Sequence, residues 1–195
     1  MRRKEVFATS GPKIAIRLFA GDYPDSVSAS GLAGQTLYHQ GIAMGNSIGP
    51  ERLINNRLRL YVWAVKDQQG HNLERLQIIK GWYEDGELKE KVFDIACSDG
   101  TVPHPNTHRC PNSSATVDLS DCSVELNKGN RQLATVWQDP DFDQAQAAFY
   151  YARVLENPSC RWTTWDALRN DWPLLDTVPA TIQERAWSSP IWYQP

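Results

Sequence analysis

The sequence predicts a mainly β protein, an immunoglobulin-like β-sandwich with one or two short helices and long loops. Three observations predict it. Seven or eight short runs alternate apolar and polar residues or gather β-branched and aromatic ones; clusters of Gly, Pro, Asn and Asp separate these runs; and Pro158, Pro173, Pro179, Pro190 and Pro195 keep any helix in the tail short. A chain of 195 residues that is 41% hydrophobic has enough apolar side chain to build a core.

Taken in order, Arg2 to Glu5 reads as the last turn of a helix, with cations where the helix dipole favours them. Val6 to Phe19 reads as a strand, a bend at Gly11-Pro12 and a second strand with Ile14, Ile16 and Leu18 in alternation. Asp22 to Gly49, rich in Gly, Ser, Ala and Pro, reads as a long surface loop, and Gly41 to Gly49 within it as a flexible turn. Such loops are commonly functional or cover something.

Arg57 to Val65 alternates Leu58, Leu60, Val62 and Ala64, while Tyr61, Trp63 and Val65 make the opposite face apolar too, as in a strand covered on both sides. After turn residues Asp67 to Gly70, Leu73 to Trp82 returns as a strand, and Glu84 to Glu87 closes a hairpin with Lys89 to Ile95. A short strand is expected in Ala115 to Leu126, a single helical turn in Gln144 to Ala148 and the strongest strand at Phe149 to Glu156. Thr164 to Arg169 has room for a turn or two of helix, and Ala186 to Tyr193 reads as a terminal edge strand that tolerates Pro190.

Net charge of −3, from 20 basic and 23 acidic residues without a basic run, supplies no footprint for nucleic acid or an anionic membrane. No apolar stretch is long enough to span a bilayer, and Met1 to Glu5 is not followed by the apolar segment of a signal peptide. The four cysteines nonetheless suit an oxidising compartment. A fragment of a periplasmic or secreted protein, with its export signal upstream, reconciles the two.

Cys97, Cys110, Cys122 and Cys160 are the disulfide candidates. Three connectivities are open to four cysteines, and of these Cys97 with Cys110, closing a short Pro-rich loop, and Cys122 with Cys160 is the expected one. A zinc site of His104, His108, Cys97 and Cys110 is the weaker alternative, because no Cys-x2-Cys spacing is present. Asp139, Asp141 and Asp143 lack the glycine and terminal glutamate of a calcium loop and read as a capped turn. Thr9-Ser10-Gly11 places a hydroxyl beside a glycine but reads as a bend, not a nucleophile. Among eight tryptophans, Trp187 and Trp192 flank a proline and are candidate binding aromatics for a glycan or protein, although aromatic side chains of this kind more often fill a core.

Several stretches resemble the C-terminal part of the bacterial domain of unknown function 3604 family (DUF3604). They are R-R-K-E-V-F-A-T-S-G-P-K-I at the start, R-L-Q-I-I-K-G-W at Arg75 to Trp82, V-W-Q-D-P-D-F-D at Val136 to Asp143, A-F-Y-Y-A-R-V-L-E-N-P at Ala148 to Pro158 and I-Q-E-R-A-W-S-S-P-I-W-Y at Ile182 to Tyr193. The resemblance implies a relative of the PHP metallohydrolases, whose metal-binding (β/α) barrel precedes an appended β-sandwich. Residues 1–20 would then be the end of the barrel, with Thr9 and Ser10 near its mouth, and residues 21–195 the sandwich. The expected H-x-H metal ligands have no counterpart here, so no catalytic or metal-binding role passes to any residue, no cofactor is expected in this chain, and the divalent metal belongs to the missing barrel. The expected partner is the chain's own upstream catalytic domain. The alternative is a stand-alone extracellular binding module for a glycan or protein.

Overall fold

Period-two alternation builds most of this molecule, because a strand with apolar alternate side chains buries one face and turns the other outward. The computed structural model describes residues 2–21, 23, 34–53 and 55–195. Along the chain these form β1 (Phe7–Thr9), β2 (Ala15–Gly21), α1 (Gly34–Gln40), β3 (Gly41–Ala43), β4 (Ser47–Ile48), a 3-10 turn (Pro50–Arg52), β5 (Arg59–Val65), β6 (Leu73–Glu84), β7 (Glu87–Cys97) and β8 (Gln132–Gln138). There follow β9 (Ala148–Glu156), β10 (Ser159–Cys160), α2 (Trp162–Asn170), β11 (Thr181–Ile182), β12 (Arg185–Ser188) and β13 (Ile191–Tyr193).

The strands make a β-sandwich. The smaller sheet runs β3-β2-β5-β8, antiparallel throughout. In the larger sheet β9 is central: β6 and then β7 lie on one side, and β12 and β13 follow one another along the other. β1 continues the sheet beyond β12, and β4 continues it, in parallel, beyond β13. The core lies between the sheets, with Ile16 and Leu18 of β2, Leu60 and Val62 of β5, Leu76 and Ile78 of β6, Phe93 of β7 and Ala152 and Val154 of β9 fully buried. Each large apolar side chain so buried is worth roughly 1.5–3 kcal/mol.

A second apolar cluster sits on the opposite face of the smaller sheet. Phe19, Tyr23, Leu37, Ala43 and Tyr61 are buried there, with Trp63 and Val136 packed against them. This is the apolar second face expected of β5, and α1 supplies Leu37 as its cover.

Several expectations are corrected. Arg2–Glu5 is not helical: a turn precedes Lys4, whose φ of 56° breaks any helix. The described part of Asp22–Gly49 is not loop throughout, since it forms α1, β3 and β4; residues 22 and 24–33 lie outside the described residues. Gly41–Gly49 is two strands joined at Gly45, whose φ of +86° favours glycine. Gln144–Ala148 makes one hydrogen-bonded turn and no helix: the Gln146 N–H donates to the Asp143 carbonyl at 3.2 Å, and the Asp143 carboxylate caps the turn by accepting the Ala145 N–H at 2.8 Å. Ala115–Leu126 yields a single bridge, Val117 to Val124, while β8 is a full strand that the alternation did not disclose. Ala186–Tyr193 is not an edge: Pro190 splits it into β12 and β13, each paired on both sides.

Candidate functional site

Thr9 and Ser10 lie where β1 meets β12. Thr9 pairs with Ala186, and the Ser10 hydroxyl donates to the Glu184 carboxylate while accepting the Arg185 N–H at 2.9 Å. Both sides of that hydroxyl are therefore engaged in joining the sheet edge. Trp187 and Trp192 share the outward face of the larger sheet, Trp187 opposite Arg153 and Trp192 opposite Phe149. The Trp192 ring, 46% exposed, lies 5.2 Å from that of Phe149, which stacks on Tyr151 at 6.4 Å. Gly81 makes room for this row: a Cβ there would meet the Phe149 ring at 2.2 Å.

Two disulfides form, Cys97 to Cys110 and Cys122 to Cys160. With the sulfurs of Cys97 and Cys110 joined, the zinc arrangement with His104 and His108 is not made. The first bridge pins the Pro-rich loop over the outward face of β6 and β7, where Asp94 is a buried hub. Its carboxylate accepts the Cys110 N–H at 2.7 Å, the Gln77 amide at 2.6 Å and the Arg75 guanidinium at 2.9 Å. Asp139, Asp141 and Asp143 do not converge on a shared point either, since Asp139 binds Lys80, Asp141 binds Lys91 and Asp143 caps its own turn. Among the described residues no group of three or more His, Cys, Asp or Glu side chains is placed to hold a metal ion, and no helix is long and apolar enough to cross a membrane.

A cleft of about 580 Å³ opens on the outer side of the smaller sheet. Phe19, Tyr61 and Trp63 come from β2 and β5, Tyr38 from α1, Phe7 from β1, and Arg3, Glu5 and Arg17 bring charge. Phe19 and Tyr38 meet edge to face at 5.1 Å. Glu5 uses both oxygens, accepting Arg3 Nε at 3.0 Å and the Tyr38 hydroxyl at 2.7 Å. That hydrogen bond to Glu5, helped by burial, pushes the Tyr38 phenol above its ordinary pKa. Arg17 is exposed and makes no hydrogen bond or ion pair among the described residues. None of the candidate residues read from the sequence lines this cleft; the signal for it was the aromatic second face of Arg57 to Val65.

A different surface surrounds α2. The helix turns Thr164 and Ala167 inward, and the Thr164 hydroxyl donates to the Ala180 carbonyl at 2.7 Å. Trp162 and Trp165, three residues apart on one side, face outward at 70% and 38% exposure, with Arg169 over the Trp165 ring at 5.3 Å. Trp172, Leu174 and Leu175, in the chain just past the C-terminal end of the helix, are exposed as well. Two large aromatic rings thus stand on the solvent side of a surface helix, beside the polar Arg169 and Asn170. The Cys122–Cys160 bridge and the β10–β11 pair anchor the segment at its start.

Comparison with known proteins finds a family model, described as a protein of unknown function (DUF3604), that matches residues 1–195. No curated protein and no solved structure matches.

Proposed function

Because the chain belongs to the DUF3604 family, we propose that it is the accessory β-sandwich of a PHP-like, metal-dependent hydrolase, held against its own upstream catalytic domain by the outward face of α2. The observation that carries this reading is the exposed apolar surface of Trp162, Trp165, Trp172, Leu174 and Leu175. Exposed tryptophans gathered in one short segment suit an interaction site, because tryptophans are prominent among residues that dominate interface energy. Leaving them in water is costly unless a partner covers them. The divalent metal and the catalytic residues belong to the upstream domain in this reading. The two disulfides suit an oxidising compartment, from which we infer a periplasmic or secreted bacterial protein.

The test is a Trp162→Ser, Trp165→Ser variant of the full-length protein, compared with wild type for hydrolysis and for thermal unfolding of the catalytic domain. Lower melting and lower activity are expected. If both match wild type while the same changes leave the 195-residue chain folded, the α2 face is not the docking surface.

A second reading, a stand-alone extracellular binding module for a glycan or protein, draws on the outward row of Trp192, Phe149 and Tyr151 and on Trp187 along the same face. Loss of glycan binding by Trp192→Ala with an unchanged melting temperature is the result that would favour it.

A further inference from the structure

We propose that the cleft on the outer side of the smaller sheet is a binding site for a planar aromatic ring that carries one carboxylate, with Arg17 as the anion-binding group and Phe7, Tyr38 and Trp63 as the ring-binding walls. The inference is independent of the hydrolase reading and of α2, because it rests on the contents of the cleft alone.

The cavity, about 580 Å³, falls in the range of roughly 300–1,000 Å³ typical of small-molecule sites. Its lining has the composition of such sites, mostly apolar and rich in aromatic side chains, with a few charged groups. The charges are not equivalent. Glu5 is occupied on both oxygens by Arg3 and Tyr38, and Arg3 is tied to Glu5 through its Nε, whereas the Arg17 side chain makes no hydrogen bond or ion pair at all among the described residues. A guanidinium fork matches the two oxygens of a carboxylate in one plane, and such charge-assisted pairs are among the stronger hydrogen bonds.

The walls select the remainder of the ligand. Phe7 is 46% exposed and Tyr38 is 46% exposed, both on the cleft, so a ring placed there covers apolar surface that the fold leaves open. Glu5 shares the lining with Arg17, and a carboxylate in the same cleft disfavours a dianion. A phosphate ester would bring two charges to a cleft that also holds Glu5, whereas a carboxylate brings one.

The test uses the 195-residue protein, with Trp63 fluorescence and calorimetric titration as readouts and 2-naphthoate, 2-naphthamide and 2-naphthyl phosphate as probes. Saturable binding of 2-naphthoate is expected, with the amide and the phosphate each weaker by about tenfold or more, the size of one charge-assisted hydrogen bond. Arg17→Ala should weaken 2-naphthoate about tenfold or more, and Arg17→Lys should restore part of the loss. As Arg17 is exposed, its variants should melt with the wild type, and circular dichroism checks this. Absence of 2-naphthoate binding at millimolar concentration, or binding that Arg17→Ala leaves unchanged, overturns the proposal. Preference for the phosphate overturns the carboxylate assignment.

Discussion

Lys80 and Asp139 form an ion pair, Nζ to Oδ2 at 2.7 Å, on the inward face of the larger sheet, where neither side chain is more than 4% exposed. Tyr150 donates to the same carboxylate oxygen at 2.7 Å, and Lys80 also donates to the Asp141 carbonyl at 2.7 Å. A chain turn that no strand holds is thereby fastened to the core. Removing one partner strands the other charge in an apolar setting. Asp139→Ala should therefore cost roughly 3–5 kcal/mol in urea unfolding, and replacing Lys80 and Asp139 together by Met and Leu should cost much less.

Gly81 tests the packing of the outward aromatic row. Its missing Cβ is the space that the Phe149 ring fills. Gly81→Ala should lower stability by roughly 1–3 kcal/mol, the usual cost of overpacking, and should change the ring-current shifts of Phe149 and Trp192 in NMR spectra.

Much of this arrangement was readable from residue pattern. The runs within Val6–Phe19, Arg57–Val65 and Leu73–Trp82 read as strands, and β2, β5 and β6 are there, with β5 buried on both faces as its apolar second face implies. Gln132–Gln138 was missed because Trp137 and Thr135 on one side and Val136 and Ala134 on the other give no clean alternation; its inward and outward faces are both partly covered. Lys80 stands at a core position of β6, where a period-two reading expects an apolar residue, and nothing local signals that Asp139, 59 residues away, neutralises it. The cleft escaped for the same reason. Arg17, Tyr38 and Trp63 come from three separate elements, and only the pairing of β2 with β5 and the lie of α1 bring them together.

Glu156 makes stability depend on pH. Burial is the main cause that raises its carboxyl to about 7, and one of its oxygens has no hydrogen-bond partner. Lys66, Asp67, His71 and Glu184 are the charged or titratable groups around it. The folded protein holds this proton up to about pH 7 whereas the unfolded chain releases it near the ordinary value of about 4.3. Its contribution to stability is thus full below that value and is lost as pH rises through about 7. Nearby His71 has the opposite slope, since burial lowers its pKa and protonation at acid pH favours unfolding. Glu156→Gln should remove the loss of stability between about pH 4 and 8 that urea unfolding of the wild type shows, and leave the His71 effect in place.

The two disulfides close chain segments of 13 and 38 residues. Replacing either pair with serines should cost roughly 2–4 kcal/mol. Loss of Cys122–Cys160 should in addition raise hydrogen exchange through α2, while loss of Cys97–Cys110 should raise it in the Pro-rich loop over Asp94.

The central claim, that this sandwich serves as part of a larger exported hydrolase, is tested most directly by the intact mass of the protein recovered from its native source, measured with and without reduction. A species several times heavier than 22.1 kDa, with thiols masked until reduction, is the predicted result. A 22.1 kDa species carrying no upstream domain would contradict it.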